Sequence, residues 1–374
     1  MIERVPREQC TGCRACESIC PQKAISMVVG GDGFWYPTVN EQCVSCGLCL
    51  KVCQVEQAAT ENEAILSVVA AQNKDESLLK GSSSGGVFCE LAKAVLEDGG
   101  VVFGAAMTES LAVSHSFVET ISDLPKLMGS KYVQSDIGES FRLAKTFLEE
   151  KRTVLFSGTP CQIRGLHLFL NKPYDNLITV DLVCHGVPSQ KAFEKYLSEQ
   201  RARIEMVNFR HKQYGWRDFS VCLVTDKKKS HIRKVRNDLY MRAFLKNLNL
   251  RRSCYRCPAN RHRSGSDITL GDFWNIEKLS ETFPKDRGVS GVILRTEKGK
   301  KIFERIKNIF LYEERMLEEM VRYNHVITSS VAEPPERTDY LQKLEKTTYE
   351  RADDVFVCSS LTERIKKRLK RIKR

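Results

Sequence analysis

The sequence predicts a fold that joins α+β and α/β parts: a small cysteine-patterned domain over residues 1–58, fused to a larger α/β domain over 65–330. Three observations predict it. Eight cysteines between Cys10 and Cys53 fall into two copies of one spacing. A polar, aromatic-free stretch at 56–64 reads as a linker. Beyond it, β-branched runs alternate with helix-period segments, the pattern of strand–helix units stacked on a sheet. At 374 residues the chain exceeds one average domain, and the larger part is long enough for a big core or two lobes.

The first part is an internal repeat. CTGCRACESIC holds Cys10, Cys13, Cys16 and Cys20, and CVSCGLCLKVC holds Cys43, Cys46, Cys49 and Cys53. Three cysteines two residues apart wrap one face of a 4Fe-4S cubane. The fourth, about a helical turn on, reaches the other cluster, as in bacterial dicluster ferredoxins. Cys10, Cys13, Cys16 and Cys53 are therefore assigned to one cluster, and Cys43, Cys46, Cys49 and Cys20 to the other. Zinc sites use pairs rather than triplets with a trailing cysteine. Pro21 follows Cys20 as the run expects, but Gln54 follows Cys53. Between the halves, Gly30-Gly31-Asp32-Gly33 marks a turn between short apolar runs.

The larger part opens with ILSVVAAQN, a buried strand. KGSSSGGVFCELAKAVLEDGG leads from serines and glycines into a helix that ends at Gly99-Gly100. Strands follow at VVFGAAMT, TVLFSGTP and LITVDLV, with helices between them and from Ser189, so 65–204 predicts a largely parallel sheet. In 205–330, VNFRHKQYGWRDFSVCLVT reads as two strands around a Gly-Trp turn, NDLYMRAFLKNLNL as a helix, VSGVILRT as a strand and KGKKIFERI as a helix. Past about residue 313 the chain reads as helical and polar, and 331–374 as a helical tail with a basic end.

Composition narrows the function classes. Met1-Ile-Glu-Arg lacks the apolar core of a signal peptide, and no apolar run approaches membrane-span length. Fifteen cysteines in such a chain argue for metal or redox work in a reducing cytoplasm rather than for disulfides. Of the formal +12, residues 361–374 contribute a net +7. No basic stripe accompanies a recognition motif elsewhere, which argues against nucleic acid as a partner. In the tail, Leu361, Ile365, Leu369 and Ile372 share one helical face amid basic residues. That pattern predicts weak contact with the inner membrane face as readily as a solvated tail.

Four further cysteines sit in loops. Cys161 and Cys184 each follow a strand, and Cys254 and Cys257 form a Cys-x2-Cys pair. Ends of adjacent parallel strands converge at one sheet edge. A loop folded over that edge completes four thiolates for a third 4Fe-4S cluster, a zinc site, or a redox pair with two bystanders. Cys89, Cys222 and Cys358 read as packing residues. Ser82-Ser83-Ser84-Gly85-Gly86 before a helix suits an anion, with Lys80 and Lys131 adding charge, or simply a turn with an N-cap. His185 is a candidate proton handler. Lys212, Trp216 and Arg217 are candidates to hold a planar or acidic ligand, and Asp272 to orient a cation or ring; surface and turn roles compete with each.

Together, SSSGGVF, GSKYVQS, SGTPCQI, VCHGVPS, FRHKQYGWRDFS and CYRCPANRHRSGSDITLGDFW resemble the family of coenzyme F-420 hydrogenase/dehydrogenase beta subunits over roughly 65–330. The resemblance implies FAD and an additional 4Fe-4S cluster in this domain. It makes Cys161, Cys184, Cys254 and Cys257 the ligands of that third cluster. Ser83, Ser84, Gly85 and Gly86 become the flavin-phosphate loop, and Lys131, Tyr132, Gln134 and Ser135 a second flavin-facing segment. The expected function is an oxidoreductase moving electrons between a two-electron carrier, a deazaflavin coenzyme or another organic substrate, and 4Fe-4S clusters through FAD. In that function His185, Lys212 and Trp216 serve catalysis. The alternative is an electron-transfer subunit with no substrate of its own, serving a redox partner protein, as in the cell-surface polysaccharide settings of similar bacterial fusions.

Overall fold

The computed structural model describes residues 1–57, 64–260 and 262–357. The expected linker, Cys358 and the basic helix from Leu361 to Ile372 lie wholly or mostly outside the described residues.

In the first part, helix α1 (Ala15–Ile19) separates Cys16 from Cys20, and α2 (Leu48–Lys51) does the same for Cys49 and Cys53. Between them β1 (Ile25–Val29) and β2 (Trp35–Val39) form an antiparallel hairpin. Its turn runs through Gly33 at φ +81°, where an L side chain would be strained. The repeat shows in the backbone too. Gly12 and Ser45 take positive φ after the first cysteine of each half, and Arg14 and Gly47 after the second.

The larger part supplies the remaining elements: β3 (Ser67–Asn73), α3 (Glu76–Gly81), α4 (Val87–Glu97), β4 (Val101–Met107), β5 (Val113–Val118), α5 (Ser140–Glu149), β6 (Val154–Gly158), α6 (Pro160–Leu170), β7 (Leu177–Leu182) and α7 (Gln190–Ser198). They continue as β8 (Ile204–His211), β9 (Ser220–Thr225), β10 (Ser230–Lys234), α8 (Leu239–Leu245), β11 (Ile268–Asp272), β12 (Ser290–Leu294), α9 (Glu297–Ile306), β13 (Phe310–Arg315), α10 (Leu317–Val321), α11 (Arg337–Lys346) and α12 (Tyr349–Phe356).

The main sheet has the order β13-β3-β12-β11-β7-β6-β4-β5. Its centre, β11-β7-β6-β4, is parallel, with Val154 opposite Leu177 and Ile268 opposite Val180. The other pairings are antiparallel, so the sheet is mixed rather than largely parallel. The connections explain this. Thr108–Ala112 between β4 and β5 is too short for a crossover helix, and only a 3-10 turn lies between β11 and β12, so both chains return antiparallel. β8, β9 and β10 make a separate antiparallel sheet.

Two expectations need correction. Residues 310–315, read as the edge of a polar helical region, form a strand against β3. Residues 337–357 are not a tail: Tyr340, Leu344, Tyr349 and Ala352 are buried in one core with Phe193, Tyr240 and Phe244. Nor do the two parts stand apart. Ala15 and Val52 share a core with Phe141, Ile163 and Leu166. Cys89 and Cys222 are buried packing residues. Among the described residues no helix is long and apolar enough to cross a membrane.

Candidate functional site

The repeat builds two cavities. One is lined by Cys10, Cys13, Cys16 and Cys53 with Ile2, Val5 and Tyr36. The other is lined by Cys20, Cys43, Cys46 and Cys49 with Met1, Val44 and Leu48. The trailing cysteines thus cross over between halves, because α1 and α2 each carry the chain from one cavity to the other. Burial raises the Cys13 and Cys16 thiols and pushes Cys53 up to about 11. Thiols held neutral in this way ionise when a metal binds. Four cysteines lining one cavity are the donor set of a cubane.

The first cavity abuts the larger domain. A Cβ at Gly165 in α6 would lie 3.1 Å from the Cys13 sulfur. Gln54, the departure from the expected proline, is buried, and its Nε2 donates to Thr11 Oγ1 (2.9 Å) and to the Cys161 carbonyl (3.0 Å). Arg14 pairs with Asp136 at 2.6 Å, and Arg142 donates to the carbonyls of Glu17 and Ser18 at the end of α1.

Cys161 belongs to the first turn of α6, whose N-cap Thr159 and Gln162 form a capping box. Cys184 follows β7, the parallel neighbour of β6, so both cysteines open onto the same sheet edge. The segment carrying Cys254 and Cys257 lies over that edge, tied by Arg251 N–H to the Val187 carbonyl at 2.9 Å. A Cβ at Gly186 (φ +128°) would lie 3.2 Å from Cys254 Cβ. Burial, then repulsion from the other three, pushes the Cys161 thiol well up. Burial raises Cys184 and Cys254 and pushes Cys257 up to about 12. Thr159 Oγ1 lies 3.2 Å from Cys161 Sγ. From Gln162, which bonds Thr159, contacts continue to Ser135 Oγ (2.9 Å) and on to His115 Nδ1 (3.0 Å). Burial lowers buried His115 to about 4, so its ring is neutral.

The Ser–Gly loop lies at another corner. Ser83 Oγ accepts from the Ser130 N–H (2.8 Å), which joins the loop to the 129–135 segment. Ser84 Oγ donates to the Val289 carbonyl and Gly85 N–H to Ser290 Oγ. A Cβ at Gly85 would collide with the Ala71 carbonyl. Gly86 (φ +85°) leads into α4, whose N-terminus carries no side-chain cap. Lys131 Nζ donates to the Met128 carbonyl (2.8 Å), and burial pushes its ammonium down to about 7.

The expected catalytic residues are spread over this region. Lys212 Nζ donates to the carbonyls of Leu79 (2.7 Å) and Ser84 (3.2 Å), bracing the loop, and burial pushes it down to about 8. Trp216 is buried, stacked on Trp274 at 4.5 Å, with Nε1 donating to Asp272. Arg210 bonds both Asp272 and the Ser83 carbonyl and lies over the Phe219 ring. His185 stands elsewhere, its Nε2 2.7 Å from Asn247 Oδ1 and its ring against Phe244, which also packs on Tyr132. Gln134 turns from the loop to the first part, donating to the Thr11 carbonyl at 3.0 Å. Sequence reasoning missed Arg210, Trp274, His115, Gln162 and Arg251. Arg210, Gln162 and Trp274 lay inside quoted motifs, whereas His115 and Arg251 did not.

Two stretches of the chain match known families. The family describing the C-terminal region of the coenzyme F420 hydrogenase/dehydrogenase beta subunit matches residues 151–319, and the 4Fe-4S dicluster domain matches 9–57. One of the subunits of F(420)H(2) dehydrogenase from Methanosarcina mazei is 25% identical over 198 residues, 49% of this chain and 55% of that protein. The chain thus spans about half the length of that relative. A chain of the F420-reducing NiFe hydrogenase complex from Methanosarcina barkeri aligns at 18% identity and a TM-score of 0.48, over 77% of this chain and 94% of that one.

Proposed function

We propose that the chain, whose residues 151–319 match the C-terminal family of coenzyme F420 hydrogenase/dehydrogenase beta subunits and whose residues 9–57 match the 4Fe-4S dicluster domain, is an iron–sulfur flavoprotein oxidoreductase of that family. It links an organic two-electron carrier, a deazaflavin coenzyme or a related substrate, to a redox partner protein. One observation carries the reading: Gln54 bonds the Cys161 carbonyl, which sets the four-cysteine group of the larger domain directly behind the first ferredoxin cavity. We read the three cysteine groups as successive stations for electrons. Cys161, Cys184, Cys254 and Cys257 would hold a third 4Fe-4S cluster. Cys10, Cys13, Cys16 and Cys53 follow, and then Cys20, Cys43, Cys46 and Cys49, of which Cys46 is exposed.

Ser83, Gly85 and Gly86 with Lys131 suit the phosphates of FAD: an uncapped helix N-terminus and a half-buried lysine favour an anion. Bound there, FAD would supply the exchange between electron pairs and the single electrons that iron–sulfur clusters carry. Lys212 and Arg210 hold the loop in shape through the Ser84 and Ser83 carbonyls. They act as positioning residues, as does Trp216 through Asp272. His185, next to Cys184 in sequence, is the residue we assign to hold a proton near the third site.

Iron, sulfide and flavin content of the anaerobically purified chain tests this. About twelve iron, twelve sulfide and one FAD are expected. About eight iron with one zinc removes the third cluster, and clusters without flavin remove the oxidoreductase reading.

A further inference from the structure

We infer that Arg251 is a buried counter-cation shared by the first ferredoxin cluster and the four-cysteine site, and that it sets the potential at which the clusters on either side accept an electron. Its side chain is 1% exposed. Nε donates to the Cys10 carbonyl (2.6 Å), Nη1 to Gln134 Oε1 (3.1 Å) and Nη2 to the Trp35 carbonyl (2.9 Å). The guanidinium lies 4.6 Å from the Tyr36 ring centre and 5.3 Å from that of Phe34. On its other side the Arg251 carbonyl accepts the Cys254 N–H at 2.9 Å. One residue therefore holds the peptide of a cysteine in each group.

Every acceptor around this cation is neutral. Among the described residues no carboxylate pairs with it, and Asp32, which also reaches Tyr36, bonds that ring's hydroxyl at 2.8 Å. A fully buried, unpaired guanidinium is strongly disfavoured unless negative charge lies nearby. Clusters with four thiolates supply that charge on both sides. The chain also makes room for the group. Gly12 sits at φ +69°, and a Cβ there would lie 2.9 Å from Nη1. Reduction adds one negative charge to a cluster, so a fixed cation beside it favours the reduced state and raises its potential.

The inference rests on the proposed third cluster only for its second half. The iron count tests that cluster separately, whereas the first ferredoxin cluster answers for Arg251 alone. The test is an EPR-monitored redox titration of the full-length, cluster-loaded protein and its R251Q, R251K and Q134E variants. R251Q is expected to shift the first cluster's reduced-to-oxidised ratio about tenfold toward oxidised at a fixed potential, equivalent to 59 mV for one electron. The outer cluster should move less. Q134E, which sets a carboxylate against the guanidinium, should shift it the same way, and R251K should restore most of the potential. Iron-replete R251Q or Q134E with unmoved potentials would overturn the inference. So would R251K shifted as far as R251Q, since charge would then not be the cause. If R251Q fails to load iron, Q134E and R251K decide.

Discussion

The two ferredoxin cavities come from one repeat, share its positive-φ positions, and have opposite surroundings. The inner one is walled by Thr11, Arg14, Gln54 and helix α6, with Arg251 behind it. The outer one is rimmed by Met1, Pro21, Val44 and Leu48, of which Met1 is 56% and Val44 64% exposed. Cysteine spacing therefore builds the cradle, while its role comes from what the rest of the chain packs around it. On the proposed function, the inner cavity serves as a relay and the outer as a port toward a partner.

Cys161→Ser breaks that comparison most severely. It should lower iron from about twelve to about eight per chain. Chemical reductant should still reduce the ferredoxin clusters, whereas the reduced organic carrier should not. Cys46→Ser should lose about as much iron yet leave the first cluster reducible by the carrier, and rapid-mixing spectra separate the two. Next comes Gln54→Pro, which restores the expected run but strips the junction of two hydrogen bonds, one of them buried. It should destabilise the protein by about 1–3 kcal/mol in denaturant melts. The equivalent outer position has no such contact to lose, since Pro21 is exposed.

Smaller effects sharpen the contrast. Lys131, pushed down to about 7, is largely neutral at pH 8, so a bound diphosphate should raise its pKa and draw in a proton. Calorimetry in buffers of different ionisation heat should show proton uptake on FAD binding at pH 8. The uptake should fade toward pH 6, where the ammonium is already charged, and be absent in Lys131→Met. The smallest effect belongs to the port. Val44→Asp should leave iron content unchanged and stability within about 0.5 kcal/mol, while slowing electron delivery to a protein acceptor. Unchanged delivery would place the port elsewhere.

What the sequence revealed follows the range of the interactions. The cysteine runs were legible because their spacing is local, and Cys161 and Cys184 because each follows a recognisable strand. Gln54 stood out as a departure, but its meaning needed Cys161, 107 residues on. Arg251 gave no signal, since its partner Cys10 lies 241 residues away. The end of the chain misled because α11 and α12 are short and bury tyrosines on otherwise charged helices.

The shared core of Ala15 and Val52 with Ile163 and Leu166 bears on how the protein meets oxygen. Once that core closes, Gln54 and Arg251 tie the inner cysteine loop to the larger domain. Its four cysteines keep only partial access to solvent, whereas Cys46 of the outer group stands exposed. Oxygen should therefore reach the outer cluster first, and losing that cluster removes no member of the shared core.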